Sequence, residues 1–328
     1  MKAFVIRSYG SPDVLEPADV ETPVPGDHEV LVRLRATSVQ PYDWHHMRGE
    51  PRIARLMPGT LGLRRPRMEI LGADVAGEVV ATGHEVAGFA PGDRVFALVG
   101  GGGFGEYVAV PAADLAPMPR TLSFEQAAAV PLAAITALLA VRDDGGVQAG
   151  QRVLVNGASG GVGTFAVQLA TAMGAEVTGV CSGRNAELVR SIGATAVVDR
   201  TTTDVTRSGA RFDLVVDVAG GHSAPAFRRV LTHDGMLVVV GGPAGRWLQP
   251  AGHAFAAVAL NAFVSQRMTM TEVGSSRDRR ANLMTLTQYL DDGRVVPVVG
   301  RTYPFAELPA ALRYQEDGHA SGKVVVTF

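Results

Sequence analysis

Residues 152–174 read RVLVNGASGGVGTFAVQLATAMG, and no other stretch limits so tightly what this chain can fold into. A stiff apolar run, a turn carrying Gly157, Gly160 and Gly163 at one interval, and a segment of helical character follow one another without a spacer. A strand without polar alternation is buried on both faces, so RVLVNG needs cover above and below its sheet. The same grammar continues in EVTGVC, AELVRSIG, AVVD, FDLVVDV, SAPAFRRVLTHDG and MLVVVGG, which alternate strand with helix. That alternation implies an α/β, doubly wound parallel sheet covered by helices. At its first turn, glycines leave room for backbone N–H groups and a helix N-terminus to approach a pyrophosphate. The spacing is G-x-x-G-x-x-G, with Ala158 and Ser159 interrupting the usual fingerprint, so a merely tight packed turn stays open on the motif alone. A strand before, a helix after and further strand–helix units beyond favour a dinucleotide.

At 328 residues, 47% apolar and 19% charged, the chain can bury the cores of two domains. A net charge of −2 gives no general electrostatic case for nucleic acid or for an anionic membrane, so small-molecule chemistry is expected. Cys181 is the single cysteine, which excludes intramolecular disulfides and cysteine-based zinc clusters and fits a cytoplasmic location. MKAFVIRSYG has no charged-then-apolar leader, and the most apolar stretch, at 127–141, is interrupted by Pro131. From residue 1 to about 120, short runs such as EVLVRLRATSV and DRVFALV lie between Pro and Gly clusters, the pattern of a mostly β domain. A Ser–x–Glu–Gln start at Ser123 then opens the strand–helix region, and the tail, closing on KVVVTF, is too short to stand alone. The expected division is 1–121 with 290–328 as the β domain and 122–289 as the dinucleotide-binding domain.

An NAD-preferring site would place a carboxylate at the end of the next strand, for the ribose 2′-hydroxyl. That place falls on Cys181, followed by Ser182, Arg184 and Asn185, with Arg200 after the third strand. Guanidinium forks and a hydroxyl suit a 2′-phosphate, so NADPH is the expected cofactor.

GDRVFAL at 92–98, GEYVAVP at 105–111, AAAVPLAAITAL at 127–138, VLVNGASGGVGTFAVQLA at 153–170 and GVCSGRNAELVRSIGA at 179–194 carry a joint pattern. With it the whole chain resembles the zinc-independent quinone oxidoreductase branch of the medium-chain dehydrogenase/reductase superfamily. The resemblance implies a GroES-like catalytic domain built from both chain ends, a Rossmann domain between them and a homodimer. It also implies cofactor contacts: Thr136 near the nicotinamide, Ser159, Gly160, Gly161 and Val162 at the pyrophosphate, Gly242 on the nicotinamide side, and Lys323 reaching the pyrophosphate. Zinc-dependent relatives carry a cysteine in the segment matching TSVQPYD and Gly-His-Glu in the segment matching Gly72-Ala73-Asp74. Here Gln40 and Ala73 stand at those places, and neither is a good zinc ligand. His45 and His46 are adjacent and do not converge on one ion.

Without a Lewis acid, hydride addition to a simple ketone leaves a localised alkoxide, whereas an enone or a quinone delocalises the charge. The expected reaction is therefore hydride transfer from NADPH to a quinone or an α,β-unsaturated carbonyl compound. Alternatives are a zinc-free NADP-dependent alcohol dehydrogenase or carbonyl reductase, and a noncatalytic NADPH-binding protein. SVQPYDWHHMRG at 38–49 resembles the stretch lining the substrate side, where Gln40 would bind a carbonyl, Tyr42 would polarise or protonate it and His45 stands where relatives have tyrosine. Asp43 is expected to orient neighbours and not to react. The arginine-rich stretch 48–67 reads as a solvated loop, and the apolar run 252–264, with Phe255 and Phe263, as a core, interface or pocket helix.

Overall fold

The computed structural model describes residues 1–57, 61–242, 245–247, 251–262, 264–271, 278–318 and 320–328, which leaves Phe263 and part of the 48–67 loop outside the described residues. The chain groups into two compact units, Met1–Leu132 with Arg277–Asp291 and Pro297–Phe328, and Ala133–Ser276 with Asp292–Val296.

The first unit opens with an antiparallel pair, β1 (Lys2–Val5) and β2 (Glu16–Asp19). Its central strand, β3 (Glu29–Val39), buries Val30, Val32, Leu34 and Ala36 on alternate positions, as a strand with one core face must. The next element, α1 (Pro41–Arg48), begins at a proline whose missing N–H costs nothing in a first turn. Gln40 and Asp43 form a reciprocal capping box there. The helix ends at Gly49, whose φ of 63° is the left-handed conformation that stops a helix and that glycine tolerates best. Then follow β4 (Asp74–Thr82), β5 (Arg94–Leu98), β6 (Tyr107–Pro111), β7 (Leu115–Pro117) and the short α2 (Phe124–Ala128), which Ser123 caps with Gln126.

The second unit is the expected α/β layer structure. From α3 (Pro131–Leu138) the chain enters β8 (Arg152–Asn156), α4 (Gly161–Ala172), β9 (Glu176–Cys181), α5 (Ala186–Ser191) and β10 (Ala196–Asp199). It then crosses to β11 (Phe212–Asp217), α6 (Ala224–Arg228), β12 (Leu231–Val239), α7 (Ala251–Ala259) and β13 (Arg267–Met270). The strands lie in the order β10-β9-β8-β11-β12-β13, and every pairing is parallel. The order reverses between β8 and β11, the switch point at which open parallel sheets bind ligands beyond their strand ends. Register sets Asn156 beside Asp217 there, each the last residue of its strand.

After α8 (Arg279–Asp291) come β14 (Val299–Pro304), α9 (Leu308–Glu316) and β15 (Lys323–Thr327). These last strands join the first unit, whose large sheet runs β14-β15-β3-β4-β5-β7, with β6 also on β3. Both units thus match the fold expected from sequence, a GroES-like β domain and a Rossmann-type sheet. Among the described residues no helix is long and apolar enough to cross a membrane.

Candidate active site

In the second unit, β8 ends on Asn156 and the glycine turn swings the chain into α4. Gly157 has φ +91°, and a Cβ on Gly163 would stand 2.0 Å from the Gly157 carbonyl oxygen, so these two glycines are required by the turn itself. Gly160 differs: a Cβ there would meet only the Gly157 oxygen, at 3.5 Å. Its freedom is not needed for packing and leaves the face above the helix end open. Gly160 caps α4 without a side-chain hydrogen bond, and the first bond into the helix is donated by the Thr164 N–H to the Gly160 oxygen (2.9 Å). The N–H groups of Gly161, Val162 and Gly163 precede that bond and have no intrahelical acceptor. Three N–H groups and the positive end of a twelve-residue helix suit an anion such as a pyrophosphate, so the turn fits a dinucleotide.

Asn185 Nδ2 donates to Ser159 Oγ (3.0 Å) and to Ser182 Oγ (3.4 Å), joining the glycine turn to the end of β9. Arg184 and Arg200 are exposed beside it. Cys181 is buried, and burial first, then Asp199, pushes its thiol pKa up, so it acts as a small apolar residue. The end of β9 carries no acid, but Asp199, which ends β10, pairs with Cys181 in register. Asp199 Oδ1 accepts from the Thr201 N–H (2.9 Å) and hydroxyl (2.7 Å), which hold its pKa below the ordinary value. Its Oδ2 lies 2.4 Å from where a Cβ on Gly183 would stand. Thr136 is buried on α3, and Gly242 follows β12.

The residues nominated in the first unit cluster at the start of α1. Gln40 and Asp43 are buried, and Lys323 with them is only 3% exposed. The Lys323 ammonium, expected on a pyrophosphate, donates to Gln40 Oε1 (2.8 Å) and Asp74 Oδ2 (3.0 Å) in the core of this unit. An ammonium has no acceptor, so the Gln40 oxygen must face it, which fixes the amide's orientation. Asp74 also accepts from the Ser38 hydroxyl (2.6 Å) and the Leu132 N–H (2.7 Å). Asp43 Oδ2 accepts the Gln40 N–H (2.9 Å), while its Oδ1 and Gln40 Nε2 are buried with no partner of good geometry. Burial first, then the charge of Asp74, raises the Asp43 pKa to about 8, against Lys323 and the nearby Gly72 N–H, which lower it.

Tyr42 donates its hydroxyl to the Gly100 oxygen (3.3 Å), and burial raises its pKa, so it stays a phenol. His45 is stacked on Trp44, with ring centroids 3.8 Å apart, and its Nδ1 lies 3.1 Å from the Glu50 oxygen. Burial holds its pKa down at about 4, so it is neutral at pH 7 and a poor acid. His46, with Nδ1 2.8 Å from the Tyr42 oxygen, is likewise pushed down by burial. In the arginine-rich loop, Arg48 pairs with Glu316, and Arg55 lies over the Tyr9 ring (4.1 Å) and donates to the Gly49 oxygen (2.7 Å). The first part of the loop is thereby tied down.

A zinc ion does not fit these donors. Ala73 offers no ligand atom, and Gln40 Oε1 and Asp74 Oδ2 already face a lysine ammonium. Among the described residues no group of three His, Cys, Asp or Glu side chains could hold a metal.

Comparison with known proteins matches residues 26–120 to the alcohol dehydrogenase GroES-like domain and residues 192–326 to the family described as zinc-binding dehydrogenase. The second description names an ion for which the donors above are unsuited. A chloroplast envelope quinone oxidoreductase homolog of Arabidopsis thaliana is 32% identical over 99% of this chain and 98% of its own length. A mitochondrial NAD(P)H oxidoreductase of Mus musculus is 34% identical over 99% of this chain and 89% of its own. Among solved structures, the quinone oxidoreductase from Coxiella burnetii superposes with a TM-score of 0.85 at 26% identity, covering 100% of this chain and 99% of its own.

Proposed function

Because the chain belongs to the quinone oxidoreductases of the medium-chain dehydrogenase/reductase superfamily, we propose that it is an NADPH-dependent reductase delivering hydride to a quinone or an α,β-unsaturated carbonyl acceptor. The observation that carries the reading is the bare N-terminus of α4, with Gly160 open above it and Ser159 joined through Asn185 to Ser182. Bound there, NADPH supplies a hydride from its dihydronicotinamide ring.

The chain's own residues do the holding. The N–H groups of Gly161, Val162 and Gly163 bind the pyrophosphate. Ser182, Arg184 and Arg200 take the 2′-phosphate, each charge-assisted bond stabilising it by about 1.5–3 kcal/mol. Asp199 is kept ionised by its bonds from Thr201, so the two guanidiniums must outweigh its repulsion of that phosphate. Thr136 and Gly242 flank the nicotinamide. Of the three side chains nominated around α1, Tyr42 has a hydroxyl that can polarise a carbonyl by exchanging its 3.3 Å bond to the Gly100 oxygen for one to the acceptor; Gln40 and neutral His45 shape the turn that presents it. The acceptor is one that disperses negative charge, since the donors present are hydrogen-bond donors. We further propose a cytoplasmic homodimer with no nucleic-acid partner, its assembly read by light scattering.

The test follows reduced-nicotinamide absorbance with quinones, enones and simple ketones in parallel, from NADPH and from NADH, with and without a chelator. Oxidation of NADPH by conjugated acceptors, insensitive to chelator, is the expected result. Turnover of simple ketones that a chelator abolishes would refute it.

A further inference from the structure

One titratable group at the switch point of the parallel sheet is used by none of the steps above. Asp217, which ends β11, is wholly buried. Its Oδ1 accepts from Asn156 Nδ2 (2.7 Å) and the Gly220 N–H (2.9 Å), and Asn156 Nδ2 also reaches the Gly220 oxygen (2.8 Å). These bonds bridge the ends of β8 and β11 and fix the carboxyl plane. The other oxygen, Oδ2, faces His253 Nε2 at 3.1 Å. His253 is the third residue of α7, with its side chain 11% exposed.

We propose that His253, oriented by Asp217, is the general acid that protonates the acceptor after hydride has reached it. The inference rests on the reductase reading and adds the proton donor that reading lacks. An acid–imidazole pair with one nitrogen committed to a buried carboxylate is the arrangement that holds an imidazole in one tautomer and stabilises it when charged. It lies at the carboxyl ends of the strands, where an open parallel sheet presents its ligands.

Hydride arriving at the acceptor carbon pushes the conjugated π electrons onto oxygen, leaving an enolate or a hydroquinone anion. The imidazolium N–H bond then breaks toward that anion, giving neutral product and a neutral imidazole still bonded to Asp217, and solvent restores the proton. One hydride and one proton are consumed per acceptor, as a two-electron reduction requires.

The hydrogen bond that His253 donates to Asp217 first, and the charge of Asp217 as well, raises the His253 pKa against the opposing burial. The positive end of α7 also opposes protonation, but such an end contributes less than a partly buried ionic hydrogen bond. Other charged groups on the elements packed against α7 are Arg228 of α6, which donates to Gln266 Oε1 (3.0 Å), and exposed Arg267 of β13. Neither shifts the imidazole. Burial pushes His45 and His46 the other way, so they are not competing acids at neutral pH.

The deciding variant is His253→Gln, whose amide N–H can keep the bond to Asp217 while carrying no titratable proton. Expected are an unchanged melting temperature and unchanged NADPH affinity, with kcat on an enone lowered about 100-fold. The fall in wild-type kcat as pH rises through the imidazole pKa should vanish in the variant. By NMR, Asp217→Asn should shift the His253 titration to lower pH. His253→Gln with kcat within about twofold of wild type and the same alkaline limb would overturn the proposal. So would a wild-type enzyme with neither an alkaline limb nor a solvent isotope effect, which needs no variant to fold. A wild-type protein that binds NADPH yet reduces no acceptor would sink the reductase reading itself, a result distinct from these.

Discussion

Replacing Asp43 by asparagine tests the electrostatic account of the first unit's core. With Lys323 paired to Asp74, the buried cluster is neutral only while Asp43 keeps its proton, and ionising it adds an uncompensated buried charge. The sign of the pH effect follows from a pKa of about 8 in the fold and 3.8 as the ordinary value. Between those values the folded chain holds a proton that the unfolded chain has released. Stability from this group is therefore complete below about pH 4 and is lost as pH rises toward 8. At roughly 1.4 kcal/mol for each pH unit, the whole span amounts to about 6 kcal/mol. Asp43→Asn keeps an oxygen for the Gln40 N–H and cannot ionise, so it should remove the slope. Urea unfolding at several pH values, followed by fluorescence of the adjacent Trp44, measures both proteins. The stability gap, variant minus wild type, should widen by about 4 kcal/mol from pH 5 to pH 8. Parallel pH profiles in the two proteins would refute the reasoning, because no other change in the variant titrates there.

Four further outcomes follow from the geometry. Gly160→Ala should melt like wild type and bind NADPH more weakly by calorimetry, whereas Gly163→Ala, whose Cβ would meet a carbonyl at 2.0 Å, should lose stability by more than about 2 kcal/mol. Arg184→Ala combined with Arg200→Ala should raise KM for NADPH at least about tenfold and leave KM for NADH unchanged. Lys323→Met strands the buried Asp74 carboxylate and should cost about 3–5 kcal/mol by denaturant titration. His45, with its pKa lowered to about 4, supports the fold fully above about pH 6.5, and that support fades as pH falls toward 4. His45→Gln should therefore flatten acid unfolding between those values and leave the neutral pH–rate profile unmoved.

Sequence pattern sufficed for the fold wherever burial was two-sided. Apolar runs such as RVLVNG and FDLVVDV admit one arrangement, a covered parallel sheet, and β8 and β11 occupy it side by side. The glycine turn was legible for the same reason, although pattern could not separate Gly163, required by packing, from Gly160, required by nothing in the protein itself. What escaped were the side-chain partners. Lys323 lies 283 residues from Gln40 in sequence, and no periodicity announces that β15 returns against β3 to bring them together. His253 and Asp217 likewise meet because α7 packs over the sheet end, and GHAFAAVALNAFV read only as an apolar helix. Asp199 lies one strand beyond the place where the usual fingerprint puts an acid, and only the register of β9 and β10 brings it beside Cys181.

The lysine also explains how a chain related to zinc-binding dehydrogenases can do without their ligands. Where zinc-dependent relatives carry a cysteine and Gly-His-Glu, this chain places Gln40, Ala73 and Asp74, and the Lys323 ammonium bridges the two polar members. A single positive charge thus balances Asp74 and holds the Gln40 amide, the structural part of what a cation could do at that place. It cannot do the electronic part, because a buried ammonium committed to two acceptors has little left to polarise a substrate carbonyl. The reaction proposed here must therefore draw on the acceptor for charge dispersal. If the ammonium serves only to hold the fold, Lys323→Arg should keep the stability that Lys323→Met loses, and both variants should show the same preference for enones over simple ketones as wild type. A selective loss of simple-ketone turnover in Lys323→Met, restored in Lys323→Arg, would mean that the cation reaches the reacting oxygen.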